Sequence, residues 1–255
     1  MFNPESSLVA WSDPPPTLML AANEVHVWRA SLNCEPSVFS RLESSLSPDE
    51  RARADHFVYN VDRSRFVMAR GILRELLGRY LERPANTINF SYGSYGKPEI
   101  SQPQSPRPIR FNLSHSHGLA LFAVALNRTV GIDLEMIRKE SAGEDIAARH
   151  FSSREIEELG GLPVDQRVEG FFLCWTRKEA YLKATGDGLR ISLDSFDVSL
   201  SPGRPATLAT KDGTRWSLES FALTLNQTQT YVGALATETE PHTTECFEWK
   251  PKYFK

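Results

Sequence analysis

The sequence lacks what several protein classes require. Its 255 residues hold three cysteines, Cys34, Cys174 and Cys246, odd in number and widely spaced, which suits reduced packing thiols better than a disulfide framework or a zinc site. There is no excess of positive charge: the formal net charge is −3, whereas a nucleic-acid binder draws much of its affinity from Lys and Arg that neutralise phosphates. No apolar run reaches the roughly 18 residues of a membrane helix, and the N-terminus shows no basic stretch followed by an apolar core. These absences predict a cytoplasmic protein with neither a nucleic-acid nor a membrane partner. What is present is ordinary globular composition, 40% hydrophobic and 24% charged, enough for one large domain or two small ones.

Residues 1–22, with Pro14, Pro15 and Pro16, read as an extended arm. A strand is predicted over 26–32, and Ser47 is placed to N-cap the segment SPDERARADHF. A long helix follows over DRSRFVMARGILRELLGRYL, where Phe66, Ala69, Leu73, Leu76, Leu77 and Tyr80 recur at three- and four-residue steps. TINFSY, RFNLSHS and LALFAVAL then read as strands of one sheet, separated by the turn signals YGSYGKP and QPQSPRP. Past residue 127 the order repeats: strand TVGIDLEMI, helical EDIAARHFSSREIEEL, helix RVEGFFLCWTRKEAYLKAT, then DSFDVSL, RWSLESFAL and YVGALAT. This order predicts an α+β fold of two pseudo-duplicated subdomains, 23–126 and 127–238, each a small antiparallel sheet packed with helices. Residues 239–255 form a tail without periodicity or assigned role. A ligand pocket is expected where the halves meet, since pockets favour such junctions.

Within VGIDLEM, Asp133 and Glu135 are two apart, so on a strand both carboxylates share one face, roughly 6.6–6.8 Å apart along the chain. By itself that pattern describes a half-buried strand with a solvated acidic face, and a metal cradle needs further ligands. On the helix of the second half, Trp175, Glu179 and Lys183 are four apart and form one nearly axial line, with Lys178 close to it. By themselves Glu179 and Lys183 describe a surface ion pair worth about 0.2–0.5 kcal/mol. Beside Asp133 and Glu135 they supply what a Mg²⁺-phosphate site requires: hard oxygen ligands, and an ammonium for phosphate charge the metal does not reach.

GIDLE followed by WTRKEAYLK resembles the paired signature of the 4′-phosphopantetheinyl transferases. LSPDERARADHF, DRSRF, YGKP and FNLSHS, in that order, are similar to the larger, surfactin-synthetase type of that family, and the resemblance runs from Leu46 to Leu200. It implies transfer of the phosphopantetheine arm of coenzyme A, the co-substrate, to a serine of an acyl or peptidyl carrier protein, leaving adenosine 3′,5′-bisphosphate. It implies that Asp133, Glu135 and Glu179 hold Mg²⁺, with Mn²⁺ as a substitute, and that Lys183 contacts the pyrophosphate. His115 and Ser114 are implied at a phosphate of coenzyme A, Arg53 and Arg65 at its 3′-phosphate, and Gly96 and Lys97 in the adenylate loop. One position of the family's basic pair reads Glu50 here, leaving Arg53, with Arg51 as a substitute. Glu155 in HFSSREIEEL matches a family acid proposed as general base, although one exposed helix acid among Glu155, Glu157 and Glu158 would look the same. The carrier is expected to dock on residues 140–170. Both halves in one chain predict an active monomer, with Asp133 and His115 on facing walls of a cleft. A Mg²⁺-dependent phosphohydrolase is the alternative, since it would use the same carboxylates and lysine.

Overall fold

The computed structural model describes residues 10–93, 95–101, 108–138, 140, 143–186, 188–211, 213–225, 228–238 and 241–254. The chain divides into two units, one built from Trp11–Asn127 and Thr243–Lys255, the other on Arg128–His242.

In the first unit, strand β1 (Glu24–Ser31) leads through helix α1 (Pro36–Ser44) to α2 (Pro48–Asp55) and α3 (Asn60–Leu81). Ser47 caps α2 as expected, in a reciprocal box with Glu50 whose Oε2 accepts the Ser47 N–H at 3.1 Å. Such a cap contributes about 1 kcal/mol. The α3 stripe buries Phe66, Ala69, Leu73, Leu76 and Leu77 against Trp28, Leu42 and Phe122 or their neighbours. Gly71 is where α1 meets it, since a Cβ there would lie 2.6 Å from that of Leu42. The run TINFSY contributes only β2 (Phe90–Tyr92), which pairs with β3 (Pro98–Ile100) in a separate two-stranded sheet. The expected single sheet is therefore corrected: the Gly93–Lys97 turn closes this hairpin on itself, with Gly93 N–H donating to Lys97 O at 3.0 Å. β4 (Ile109–Ser116) and β5 (Leu119–Leu126) form an antiparallel hairpin beside β1.

The second unit starts with β6 (Val130–Met136), then α4 (Glu144–His150), α5 (Ser153–Gly161) and α6 (Arg167–Thr185). The segment expected to be continuously helical breaks at Phe151 and Ser152, because Ser152 caps α5 in a second reciprocal box with Glu155. β7 (Asp197–Val198) and β8 (Leu208–Ala209) make a small ladder, and β9 (Trp216–Leu225) and β10 (Gln229–Glu238) complete a three-stranded antiparallel sheet in the order β6-β10-β9. Among the described residues no helix is long and apolar enough to cross a membrane.

The tail has a role that its composition hid. Thr243–Glu248 is strand β11, paired in parallel with β1 from Glu24↔Thr243 to Arg29↔Glu248. The sheet of the first unit is thus β11-β1-β5-β4 and mixed, where an antiparallel one was expected. Trp249 and Phe254 continue into the same core. A six-residue edge strand with one buried Cys-Phe step carries too little periodicity to announce itself.

Candidate active site

Gly131 fixes the geometry of the second unit's acidic strand. A Cβ there would lie 2.1 Å from Ala180 O and 2.2 Å from Ala184 N, so only glycine lets β6 lie this close to α6. Two residues on, Asp133 is 3% exposed, and Lys183 Nζ stands 2.6 Å from its Oδ1. One helical turn before Lys183, Glu179 is half-buried. Its carboxyl pKa is pushed above the usual range, first by burial and then by the Asp133 charge, with Lys183 acting against both. Asp133, Glu179 and Lys183 therefore act on one another across the β6–α6 contact. Glu135 is half-buried two residues along the same strand. Among the described residues no three His, Cys, Asp or Glu side chains are gathered as a metal cage. The donor chemistry nevertheless fits a hard cation, because the Asp133 charge raises the cost of ionising Glu179 and positive charge beside the two carboxylates relieves it.

Lys178, beside Glu179 in the motif, is tied into the fold. Lys178 is completely buried and donates to Leu193 O at 2.6 Å and Phe196 O at 2.7 Å, with its Nζ 4.3 Å from the Phe196 ring centroid. Its counter-ion is Glu155, with Oε2 at 2.8 Å. Glu155 also accepts the Ser152 and Val198 N–H groups, each at 2.8 Å, and has no exposed surface. An exposed helix acid is not what the structure holds: the bonds of this carboxylate to Ser152, Val198 and Lys178 all point into the protein. It joins α5, α6 and β7.

In the first unit, Arg53 is exposed, its guanidinium 5.5 Å from the Phe66 ring centroid, and Arg65 faces Asp62 at 3.5 Å. Arg51 donates to Leu46 O and Ser44 O, which ties down the substitute that the sequence offered. Glu50 turns inward to Arg74 at 2.6 Å and Arg70 at 3.6 Å, all three being buried. Arg70 in turn donates to Tyr92 Oη at 3.0 Å and lies over the Phe66, Phe90 and Tyr92 rings. Sequence reasoning missed Arg70 and Arg74; the signal was two arginines, four apart, inside the apolar stripe of α3. In the β2–β3 turn Gly96 has φ +76°, and a Cβ there would meet nothing within 4 Å, so it serves the turn and leaves open space above the backbone. Lys97 beside it is half-buried, and burial lowers its pKa to about 8. Ser114 is buried and His115 exposed on β4, as strand alternation requires.

Known proteins resemble this chain over both of its units. The 4′-phosphopantetheinyl transferase superfamily profile matches residues 129–236, and the profile of the 4′-phosphopantetheinyl transferase N-terminal domain matches 28–127. The chain is 46% identical over 198 residues to the 4′-phosphopantetheinyl transferase HetI of Nostoc sp., covering 78% of this chain and 83% of that protein. It is 33% identical over 160 residues to Sfp of Bacillus subtilis, covering 63% and 69%. Among solved structures it matches a holo-(acyl-carrier-protein) synthase from Bacillus anthracis at 21% identity and a TM-score of 0.36, covering 44% of this chain and 98% of that one. The chain belongs to the 4′-phosphopantetheinyl transferase superfamily, in its surfactin-synthetase type, and is a transferase of phosphopantetheine to carrier proteins.

Proposed function

We propose that transfer from coenzyme A is carried out at the β6–α6 contact, and the observation that carries this is the Lys183–Asp133 pair beside Glu179. Lys183 is 30% exposed at its side chain and Asp133 5%, so the ammonium reaches outward while its counter-ion is held in the wall. It is placed to take a pyrophosphate oxygen and to neutralise the charge that gathers there as the phosphoanhydride breaks. Asp133, Glu135 and Glu179 would hold Mg²⁺ or Mn²⁺, which when bound supplies Lewis-acid neutralisation of the same oxygens. Asp133 orients Lys183 in its absence. Arg53 and Arg65 take the 3′-phosphate of coenzyme A, Gly96 and Lys97 the adenylate, and Ser114 and His115 a further phosphate. The buried Glu155 positions Lys178 and the start of α5, and the proton of the attacking serine leaves by another route.

The carrier partner fits the described part of residues 140–170. Ile146 and Ile156 are 37% and 40% exposed and Val164 76%, and Arg149 and Arg154 are exposed among them. Apolar residues interspersed with arginines suit an acidic helical surface around a serine. Three free cysteines support a reducing cytoplasmic setting, and a single chain with one set of groups supports a monomer. The phosphohydrolase reading has no support in the relatives. Incubation with coenzyme A, Mg²⁺ and a panel of apo acyl and peptidyl carriers, read as intact mass, tests the proposal: one added phosphopantetheine on a carrier supports it, and none on any carrier refutes it.

A further inference from the structure

We propose that the hydroxyl of Tyr92, held by the buried Arg70, donates a hydrogen bond to the 3′-phosphate of coenzyme A beside Arg53. Tyr92 is then a further substrate-binding residue, and one that separates coenzyme A from its dephospho form. The inference rests on the placement of Arg53 at that phosphate. Glu50 stands where the family carries a basic residue, and it faces inward to Arg74 and Arg70, so a phosphate at Arg53 lacks its second donor there.

Tyr92 ends β2 and is 39% exposed. It shares a strand face with Phe90, and that face lies toward α3, since the Arg70 guanidinium is 5.5 Å and 5.6 Å from the Phe90 and Tyr92 ring centroids. Arg70 Nη2 donates to Tyr92 Oη at 3.0 Å. The oxygen is the acceptor in that bond, because a guanidinium only donates, and the O–H proton is left to point elsewhere. Among the described residues it has no acceptor. Arg70 itself is buried, and its Nη1 has no hydrogen-bond partner among the described residues. A phenol that accepts from such a cation is a polarised donor, because hydrogen bonds in a chain strengthen one another. Burial holds the Tyr92 phenol pKa above its usual value, with the Arg70 charge acting against it, so the proton is in place at neutral pH.

Arg53 stands close to this hydroxyl. Its guanidinium and that of Arg70 lie against the same Phe66 ring, 5.5 Å and 5.9 Å from the centroid, and its charge acts on both Arg70 and Tyr92. Arg53 is exposed and makes no ion pair among the described residues. Two carboxylates also act on the phenol, Asp49 and Glu50. Asp49 accepts from the Ser47 side chain and Glu50 meets Arg74 at 2.6 Å, and neither takes the Tyr92 proton. An exposed guanidinium beside a neutral O–H donor suits a phosphate, which accepts from both.

Calorimetric titration of the full chain in Mg²⁺ with coenzyme A and with dephospho-coenzyme A tests this. Tyr92→Phe removes the hydroxyl and keeps the ring. It should weaken coenzyme A by about tenfold, the range set by one hydrogen bond to a charged group, and leave dephospho-coenzyme A unchanged. Arg70 is a positioning residue, so Tyr92→Phe should cost less in an Arg70→Met chain than in the wild type, because the hydroxyl is no longer aimed there. An equal cost in the two backgrounds would remove Arg70 from the contact; if Arg70→Met does not fold, Tyr92→Phe decides. Unchanged coenzyme A binding in Tyr92→Phe, or equal losses of both ligands, would overturn the proposal. Arg53→Ala, titrated in parallel, keeps the two readings apart. A loss confined to coenzyme A in Arg53→Ala with none in Tyr92→Phe refutes the hydroxyl contact alone, and no such loss in either variant refutes the placement of the 3′-phosphate as well.

Discussion

Lys183 Nζ and Asp133 Oδ1 are 2.6 Å apart although 50 residues separate them in sequence. The contact exists because Gly131 lets the acidic strand lie against α6 with no side chain between them. The two motifs that mark the family, GIDLE and WTRKEAYLK, are thus two sides of one contact.

Lys97, proposed at the adenylate, should give coenzyme A binding a pH dependence. Its pKa is lowered to about 8 by burial, so its ammonium is lost as pH rises through that value. KM for coenzyme A should rise between pH 7 and 9, by up to about tenfold for one lost charge-assisted hydrogen bond. Lys97→Arg, charged throughout, should flatten the profile; a profile equally steep in that variant would remove Lys97 from the site.

Arg53→Ala and Arg65→Ala should weaken coenzyme A binding, each by about tenfold. Both should matter much less with dephospho-coenzyme A, which lacks the 3′-phosphate. Equal losses with both ligands would assign the arginines to the fold instead.

Glu155 should matter to stability. Glu155→Gln leaves the buried Lys178 charge without its counter-ion and should cost about 3–5 kcal/mol of unfolding free energy. Denaturant melts would show it, and the double variant Glu155→Gln, Lys178→Met should recover part of the loss. A fully stable Glu155→Gln protein that has lost only turnover would restore the general-base role.

Glu75, on α3, should make stability fall with rising pH. It meets Arg41 and accepts from Trp249 Nε1 at 3.3 Å, yet burial raises its pKa to about 7. An acid whose folded pKa lies above its unfolded value binds more protons when folded, so its contribution is full below about pH 4.5 and is lost as pH rises to about 7. The drop is on the order of 3 kcal/mol. Thermal melts across that window should show it, and Glu75→Gln should flatten it; an unaltered slope would place the titrating group elsewhere.

Much of this was legible because it is local. The α3 stripe, Ser47, and the β6 and α6 motifs each declare themselves within a few turns of chain. The pairing of Glu155 with Lys178, 23 residues on, did not, since an acid in the pattern of Glu155, Glu157 and Glu158 looks like a solvated helix face until α6 covers it. Nor did Glu50 with Arg70 and Arg74, where charges that read as surface groups satisfy one another inside. β11 was illegible for a third reason: a parallel partner about two hundred residues away leaves no local trace.

The most direct test is intact-mass measurement of an apo carrier incubated with coenzyme A and Mg²⁺ and either the wild-type chain or Asp133→Asn. The substitution keeps the shape of the side chain and removes the charge that faces Lys183 and would hold the proposed cation, and circular dichroism should show the same fold. Wild type should convert the carrier to its phosphopantetheinyl form with release of adenosine 3′,5′-bisphosphate, and Asp133→Asn should be slower by about a hundredfold or more. Equal conversion by the two proteins would contradict the placement of the reaction at the Asp133–Lys183 contact.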